Sequence, residues 1–576
     1  MARIRRIQIE NFRSIQRLDW CPAPGFNCLV GPGDSGKSSI LDAIDLCLGA
    51  RRSAPFGDTD FYRLDVTHPI LITATLGGLP DDLINLDSYG DFLRGYDPAN
   101  GALEDEPRFG IETVLTLQLK VESDLEPVWQ LHSERAIQQG IERNLAWKDR
   151  ARIAPVRIGS YANTNFSWSR NSILNRLTEE RPALGGALAA AARDARNGFG
   201  VQAGAQLQQP LQIVTQTATQ LGVPVGAFTQ ALLDAHAVSI GDGAIALHNE
   251  QGIPLRSLGT GSSRLLIAGL QRQAAQAASI ALVDEVEFGL EPHRLIRFMD
   301  SLGAKNSPEP LQVFLTTHSP VALRELSGHQ LFVVRAQQGH HVVLQAGISN
   351  DVQSTLRTDP EAFLAKRVVV CEGASEVGLM RGLDQYWGGL GATSFLALGG
   401  AYVNVNGGEP DNCYTRGSAL LSLGYQVLVI VDADKPATAA IQAAFHAAGG
   451  QSATWGQGRA LEDELFINLP DAAIDRLIAI AIDARDRELV NSHIRDRSQN
   501  ALSLDAIQAF RAQGTPYAPP TRALLGLASR IRKNGWFKSV TTYELIARTI
   551  IGPELQASGP DLQATINRIR GWVHAA

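Results

Sequence analysis

The stretch Gly31-Pro-Gly-Asp-Ser-Gly-Lys-Ser38 constrains the fold more than any other feature of this 576-residue chain. It has the spacing Gly-x4-Gly-Lys-Ser, it follows the apolar run Phe26–Val30, and it precedes Ser39–Leu48, whose apolar residues recur on one helical face. A glycine-rich loop between a strand and a helix N-terminus lets backbone N–H groups surround phosphate oxygens. The pattern therefore predicts an α/β domain that binds a nucleoside triphosphate.

The residue types within this P-loop predict individual roles. Lys37 is expected to reach the β- and γ-phosphates, and Ser38 is expected to bind Mg²⁺. The backbone around the phosphates would come from the other loop residues, which are Gly31, Gly33, Gly36 and Ser39. The cofactor that this loop predicts is ATP with Mg²⁺.

Two later apolar runs end in residues that could complete a nucleotide site. Ile280–Val283 is followed by Asp284 and Glu285. Asp284 would hold Mg²⁺ through water, and Glu285 would polarise the attacking water. The run Gln312–Thr316 leads to His318, which could sense the γ-phosphate. Taken alone, His318 is a strand-end residue, and only the order of the three motifs favours the sensor role.

A second set of acidic residues follows two further apolar runs, Arg367–Cys371 and Val427–Val431. The acids are Glu372, Glu376, Asp432 and Asp434. The carboxyl ends of neighbouring parallel strands meet at one edge of a sheet, so these side chains are expected to converge. Because like charges repel, such a cluster favours binding of cations, and its oxygen ligands suit Mg²⁺, Mn²⁺ or Ca²⁺.

A third acidic cluster, Glu462-Asp463-Glu464, leaves one ligand open. Glu462 and Glu464 both fit as a further metal ligand, with a slight preference for Glu462. The sequence thus predicts a metal site of five or six carboxylates in the C-terminal part of the chain.

Composition limits the class of protein further. The net charge is 52 − 59 = −7, which excludes a wholly basic coat. Residues 521–576 nevertheless carry eight basic and three acidic residues, as expected beside a DNA backbone or on a solvated helix face.

The chain has no run of 18 apolar residues and no secretory leader pattern. Its five cysteines form no Cys-x-x-Cys pair and are expected to be buried. A cytoplasmic protein without a membrane span is predicted.

Composition also suggests how the chain is divided. The predicted boundaries are 1–170 and 238–365 for two parts of one ATPase domain, and 366–576 for a metal-binding domain. Between them, 171–237 is rich in Ala, Gln and Leu and predicts helices. This segment is either an inserted dimerisation subdomain or a helical cap on the same domain.

The order of the nucleotide motifs resembles the ABC-type ATPases of the DNA-repair group, the SMC, RecF and RecN proteins. The opening Ile7-Gln-Ile-Glu-Asn-Phe-Arg-Ser14 is similar to the start of those proteins. Two elements depart from their pattern. The signature reads Ser257-Leu-Gly-Thr-Gly-Ser262, and the residues after Glu285 lack the usual aspartate.

The Glu-Gly-x-x-Glu and Asp-x-Asp motifs resemble the Toprim fold. An ABC-type ATPase followed by a Toprim domain resembles the OLD (overcoming lysogenization defect) family of nucleases, including the nuclease subunit of Gabija phage-defence systems. That resemblance implies an α/β chain: an ATPase head with an inserted helical subdomain, then a Toprim domain with helical elaborations. It also implies that Lys533-Asn-Gly-Trp-Phe-Lys538 carries a catalytic lysine, Lys538.

The same resemblance implies an activity and partners. The activity would be two-metal cleavage of DNA phosphodiesters by a homodimer, regulated by ATP, in phage defence or DNA repair. A helicase partner is not readable from this sequence. The alternative is an ATP-driven clamp or repair scaffold of the RecF/SMC type that binds metal without cutting. A primase or topoisomerase is disfavoured, because no tyrosine is marked as catalytic and no zinc module is present.

Overall fold

The computed structural model describes residues 2–51, 53–159, 247–273, 279–337, 340–531 and 534–575, with short stretches between 187 and 228. Contacts divide the chain into two units. Unit 1 comprises residues 1–13, 19–27 and 38–316, and unit 2 comprises 14–18, 28–37 and 317–576. These units do not coincide with the domain limits predicted at residues 170, 237 and 365, which stay predictions. The predicted insertion at 171–237, with its dimer contact, lies largely outside the described residues.

Unit 1 contains an antiparallel sheet built on three long strands. Arg3–Phe12 pairs with Ile70–Gly77, which pairs with Glu112–Val121. The far edge of Glu112–Val121 is shared by Leu93–Asp97 and Pro127–Leu131. The short strand Ala102–Glu104 closes this sheet beside Leu93–Asp97.

Three strands of unit 1 are parallel to one another, and one of them is the strand that leads to Asp284 and Glu285. Ile280–Val283 lies between Val156–Arg157 and Gln312–Thr316, and all three run in the same direction. Every residue of Ile280–Val283 and Gln312–Thr316 is buried. Burial on both faces explains why these strands read as continuous apolar runs instead of alternating ones. The first described helix of this unit is Lys37–Leu48, which belongs to unit 1 from Ser38 onward. The other described helices are Leu86–Tyr89, Glu134–Gln138, Trp147–Ile153, Gln208–Gln220, Thr260–Gln273 and Pro292–Ser301.

Unit 2 begins around the strand that leads into the P-loop. Residues Cys28–Val30 of the strand Phe26–Val30 run parallel to Leu331–Gln337. Leu331–Gln337 forms an antiparallel hairpin with His340–Gln345, and the hairpin's second strand runs parallel to Arg17 and Leu18. Parallel pairing on the P-loop strand is the arrangement that a strand–loop–helix unit requires.

The C-terminal part of unit 2 is a four-stranded sheet that is parallel throughout. Its strand order is Gly400–Asn404, Arg367–Cys371, Gln426–Val431, Gln451–Thr454. The two central strands are buried except at their first residues, Arg367 and Gln426, as their apolar sequences predicted. Because all four strands point the same way, their carboxyl ends lie at one edge of the sheet.

Helices surround this sheet and make up most of the remaining chain. In chain order they are Pro320–Glu325, Asn350–Thr358, Ala374–Gly389, Pro410–Ser422, Ala439–Ala447, Leu461–Asn468, Asp471–Arg485, Arg487–Arg497, Leu504–Ala512, Pro519–Ser529, Val540–Ile546, Gly552–Glu554 and Pro560–Val573. The helix Pro519–Ser529 begins with a proline. That proline occupies the first position of a helix, where its missing N–H costs nothing.

Two glycines let a pair of these helices touch through their backbones. A Cβ added to Gly378 would lie 2.4 Å from the carbonyl oxygen of Val540, and one added to Gly382 would lie 2.3 Å from that of Glu544. Both distances are far below van der Waals contact. The helix that carries Glu376 is therefore packed tightly against the helix that follows Lys538.

Replacing Gly382 by Ala is expected to destabilise unit 2 by about 1–3 kcal/mol, because the added methyl group must push two backbones apart. Gly388→Ala in the same helix is the matched control, since nothing lies within 4 Å of a Cβ at that position. It should be neutral or stabilising by about 0.5–1 kcal/mol. Urea unfolding of both variants would test this, and equal midpoints would contradict it.

All five cysteines lie in the described part of the chain and are free thiols, but Cys21 is exposed, so the expectation that all five are buried is wrong at that position. In the described part of the chain, no helix is both long enough and apolar enough to cross a membrane.

Candidate functional site

The P-loop holds its lysine inside the loop. The Lys37 ammonium group donates hydrogen bonds to the carbonyl oxygens of Gly31 (3.1 Å) and Pro32 (2.9 Å), and Ser35 Oγ lies 3.3 Å away. Gly31 and Gly36 have φ values of 149° and 85°, which favour glycine. A Cβ at Gly31 would lie 2.5 Å from the carbonyl oxygen of Val334. The loop therefore requires glycine at positions 31 and 36.

The acidic strand end is organised by hydroxyl groups. Asp284 Oδ1 accepts hydrogen bonds from Ser38 Oγ (3.2 Å) and from Thr316 Oγ1 (2.6 Å). Thr316 Oγ1 also accepts the N–H of Glu285 at 2.8 Å, and a guanidinium nitrogen of Arg157 lies 3.8 Å from Asp284 Oδ2. Ser38, Asp284 and Glu285 therefore lie together at the end of this strand, and their roles toward a nucleotide stay predictions. Thr316 and Arg157 were missed, although the pairing of Val283 with Leu315 places Thr316 beside Asp284.

Glu285 adopts a strained backbone that a buried arginine holds in place. Its φ is 46°, a region that non-glycine residues rarely occupy and that is frequent at functional sites. Arg264, wholly buried on the helix Thr260–Gln273, donates to the carbonyl oxygens of Asp284 and Glu285 at 3.2–3.4 Å. A Cβ at Gly261 would lie 2.5 Å from the Gly289 carbonyl oxygen. The unusual signature segment therefore packs on the turn that carries Glu285.

His318 lies two residues beyond the end of the strand Gln312–Thr316, and it is exposed. Its role as a γ-phosphate sensor stays a prediction, as do the contributions of Gly33 and Ser39. A Cβ at Gly33 would meet nothing within 4 Å, so its requirement for glycine is not steric.

Thr316→Val should slow ATP hydrolysis by about 10–100-fold while ATP binding through the P-loop is retained. The substitution removes the hydroxyl that orients Asp284 and Glu285, and partners of this kind typically contribute that much to a metal site. Steady-state phosphate release and nucleotide binding would be measured together. Thr316→Ser keeps the hydroxyl and should restore most of the rate; if it is as slow as the valine variant, the hydrogen bonds are not the cause.

The second acidic set lines an open cavity of about 930 Å³ at the carboxyl ends of Arg367–Cys371 and Gln426–Val431. Five of the six predicted metal ligands lie on its wall: Glu372, Glu376, Asp432, Asp434 and Glu462. The cavity also includes the loop residues Asn404, Asn406, Gly407 and Gly408. The structure therefore brings together acids from three separate segments of the sequence.

Backbone N–H groups fix three of these carboxylates. The N–H of Asp432 donates to Glu372 at 3.0 Å, and that of Gly373 donates to Glu376 at 2.8 Å. The N–H of Leu461 donates to Asp432 at 3.0 Å. These bonds hold the side chains in position and partly offset the cost of burying them.

Burial and mutual repulsion still disfavour the charged forms. Burial, and then the charges of Glu462 and Glu372, raise the pKa of Glu376 to about 7. Burial, together with the charges of Glu376 and Glu462, raises the pKa of Asp432 well above its ordinary value. Burial likewise raises the pKa of Glu462, and the charge of Lys538 opposes that rise. A group of carboxylates that repel one another favours a cation among them.

Of the two open candidates for the last ligand, Glu464 is engaged elsewhere. Its fully buried carboxylate is 3.2 Å from the Arg459 guanidinium and also accepts from the side chain of Asn468 at 3.0 Å. It does not line the cavity, whereas Glu462 does. The geometry favours Glu462 as the ligand and gives Glu464 a role in packing.

The donor set fits a hard divalent cation, since it consists of carboxylate oxygens with no thiol or imidazole on the cavity wall. Among the described residues, however, no group of three or more His, Cys, Asp or Glu side chains already lies at metal-binding distances. The chemistry of the donors agrees with the predicted ions, and their binding stays a prediction.

Four basic side chains share this cavity with the acids: Lys435, Arg497, Arg530 and Lys538. Lys538 is exposed, and it follows the buried pair Trp536 and Phe537. Trp536 is anchored by its indole N–H, which donates to His493 Nδ1 at 3.1 Å. A Cβ at Gly535 would lie 2.8 Å from Lys538 Cε, so the lysine stem packs on that glycine.

The basic segment at 521–576 is only partly available for DNA. Arg522 donates to the carbonyl oxygens of Phe466, Ile467 and Leu469, which gives it a role in packing. Arg530 and Lys538 reach the cavity, while residues 532 and 533 lie outside the described part of the chain. The count of charges alone had not separated these roles.

In the absence of divalent metal, the stability of the protein should fall as the pH rises from about 5 to 8. The Glu376 carboxyl group has a higher pKa in the folded protein than in the unfolded chain. Its contribution to the free energy of unfolding is therefore complete below about pH 4.5 and is lost as the pH rises through about 7. A shift of that size corresponds to about 3 kcal/mol. Thermal melts in EDTA would show the decline, and Glu376→Gln should flatten it. A rise in stability over this range would contradict the expectation.

Comparison with known proteins identifies the class of the N-terminal part. The family described as "AAA domain, putative AbiEii toxin, Type IV TA system" matches residues 125–324, and a family described as "AAA domain" matches residues 6–77. The P-loop lies in the second range and Asp284 and Glu285 lie in the first. The chain therefore carries an ATPase domain of the AAA/ABC type.

Individual relatives match over short segments. The chain is similar to the DNA replication and repair protein RecF of Erwinia tasmaniensis, with 56% identity over 39 residues, 7% of this chain and 11% of that protein. It is also similar to the OLD nuclease of Thermus scotoductus, with 39% identity over 74 residues, 12% of this chain and 14% of that protein. These alignments span less than a sixth of either relative.

Among solved structures, the chain is similar to the Smc head domain of Pyrococcus furiosus, solved with an extended coiled coil and bound to the C-terminal domain of ScpA. The alignment covers 60% of this chain and 96% of the Smc chain. The sequence identity is 13% and the TM-score is 0.33. A score of this size is below the level that indicates a shared fold. The assignment of the ATPase domain rests on the family matches and the P-loop.

Proposed function

We propose that the chain is a metal-dependent DNA endonuclease whose ATPase domain regulates cleavage. The observation that carries this proposal is the cavity in unit 2, where five carboxylates share a wall with four basic side chains. Acids that repel one another would bind cations, and the basic side chains would bind the negative backbone of DNA. Both chemistries are needed to hydrolyse a phosphodiester.

Each side chain in the cavity has a task in this proposal. Glu372, Glu376, Asp432, Asp434 and Glu462 would hold two Mg²⁺ or Mn²⁺ ions, which supply Lewis acidity and lower the pKa of bound water. Lys538 would stabilise negative charge on the scissile phosphate. Lys435 and Arg497 would bind flanking phosphates, because they lie on the same wall and carry positive charge.

The ATPase domain would supply control. Lys37, Ser38, Asp284 and Glu285 would bind and hydrolyse ATP with Mg²⁺, and we propose that this gates access of DNA to the acidic cavity, within a homodimer. DNA as the substrate is supported by the names of the relatives, a DNA replication and repair protein and a nuclease. The resemblance to the OLD family and to the Gabija nuclease subunit supports the same class of reaction.

The first test is incubation of supercoiled plasmid with the purified full-length protein in Mg²⁺, Mn²⁺ or EDTA, with and without ATP. Nicked or linear product that appears only with metal, and is lost in Asp432→Asn, would support the proposal. Asp496→Asn, an exposed acid outside the cavity, is the matched control and should cut normally. ATP hydrolysis without cleavage under any metal would contradict the nuclease and favour the alternative, a clamp or repair scaffold that does not cut.

A further inference from the structure

Asp434 differs from the other acids of the cavity because a guanidinium group already pairs with it. Arg530 Nη1 lies 2.9 Å from Asp434 Oδ2, and Arg530 Nε lies 3.3 Å from Asp463 Oδ2. Arg530 follows directly after the helix Pro519–Ser529 and lines the cavity. Its side chain therefore bridges one predicted metal ligand and one acid outside the predicted ligand set.

The remaining carboxylates are in a different electrostatic situation. Within the described residues, no lysine or arginine nitrogen lies within 4.0 Å of Glu372, Glu376, Asp432 or Glu462. A divalent ion among those four would relieve their repulsion without displacing any cation. An ion on Asp434 would meet the Arg530 guanidinium at ion-pair distance, where two positive charges repel strongly.

Asp463 offers the guanidinium a second anchor. Its carboxylate also accepts the N–H of Ala460 at 3.0 Å, so it stays in place when Asp434 is taken by another cation. Arg530 can therefore release Asp434 and keep one ionic partner. The side chains of Arg530 and Asp434 are 26% and 29% exposed, so a DNA phosphate could reach the guanidinium.

We infer that the two metal positions of this cavity are unequal and that Arg530 sets the weaker one. The first ion binds among Glu372, Glu376, Asp432 and Glu462. The second ion needs Asp434 and must displace Arg530, which a phosphate of the substrate would draw away. Arg530 is thus a positioning residue that couples binding of the second ion to binding of DNA. The inference rests on the proposed metal site and deepens it.

The test is calorimetric titration of Mn²⁺ into the full-length protein without nucleotide and without DNA. We expect one tight and one weak ion in the cavity, identified by their loss in Asp432→Asn. Arg530→Gln should tighten the weak ion by about tenfold or more, since a neighbouring positive charge is removed. Arg530→Lys keeps the charge and should resemble the wild type. Arg568→Gln, an exposed arginine on the helix Pro560–Val573 that does not line the cavity, is the matched control and should leave both ions unchanged.

The outcomes separate the inference from the function beneath it. Two ions of equal affinity in the wild type, or an unchanged weak ion in Arg530→Gln, would overturn the role of Arg530 while leaving a metal site in place. An Asp432→Asn isotherm identical to that of the wild type would overturn the metal site itself. Arg530→Met keeps the aliphatic stem and replaces the glutamine variant if that variant does not fold.

Discussion

Replacing Glu376 by Gln is expected to slow metal-dependent plasmid cleavage by about 10²–10³-fold and to leave ATP hydrolysis unchanged. Glu376 is only 4% exposed, and it faces Glu372, Asp432 and Glu462 in the cavity. The amide has nearly the same shape but removes a charge, so the protein should fold while the metal ions bind weakly. The measurement is the rate of loss of supercoiled plasmid in Mn²⁺.

The control for this substitution is Glu488→Gln, an exposed acid in the first turn of the helix Arg487–Arg497. It should cut at the wild-type rate. Cleavage by Glu376→Gln at more than about a third of the wild-type rate would place the metal ions elsewhere. A rate that recovers only at high Mn²⁺ concentration would identify the loss as one of metal affinity.

Lys37→Ala is expected to reduce ATP hydrolysis by about 10²-fold or more, because it removes the ammonium group that would stabilise the transferring phosphate. The lysine is 7% exposed and lies within the P-loop, where three loop oxygens surround it. Plasmid cleavage with metal alone should persist, since no P-loop residue lines the acidic cavity. Phosphate release and plasmid cleavage would be measured on the same preparation.

Lys148→Ala removes an exposed lysine from a helix of unit 1 and should change neither activity. If Lys37→Ala abolished cleavage without ATP as well, the two sites would not be separable, and regulation by ATP would need another explanation. Opposite losses in Glu376→Gln and Lys37→Ala would instead assign one activity to each site.

The sequence predicted best where chemistry imposes fixed spacing or continuous burial. The P-loop was found because phosphate binding fixes the spacing of its glycines, lysine and serine. The strand Ile280–Val283 and the central strands of the C-terminal sheet were found because each contains an apolar run that leads to polar residues of defined type. Such strands are buried on both faces, so their pattern does not depend on neighbours that are distant in sequence.

What was missed depends on contacts between residues far apart in the chain. Arg264 and Thr316 have no local signature, and their roles follow only from the carbonyl and carboxylate groups that they contact. Arg522 and Arg530 look alike in the sequence, yet one binds helix carbonyl oxygens and the other pairs with Asp434. The choice between Glu462 and Glu464 likewise required the position of Arg459.

The backbone contact at Gly378 and Gly382 affects how cleavage activity is lost on heating. The helix that bears Glu376 has no side chain at these two positions, so the carbonyl oxygens of Val540 and Glu544 approach its backbone directly. The acid and the lysine should keep their spacing until that pair of helices separates cooperatively. Heat inactivation of cleavage should therefore be abrupt and should coincide with the melting of unit 2, with no gradual decline in activity at lower temperatures.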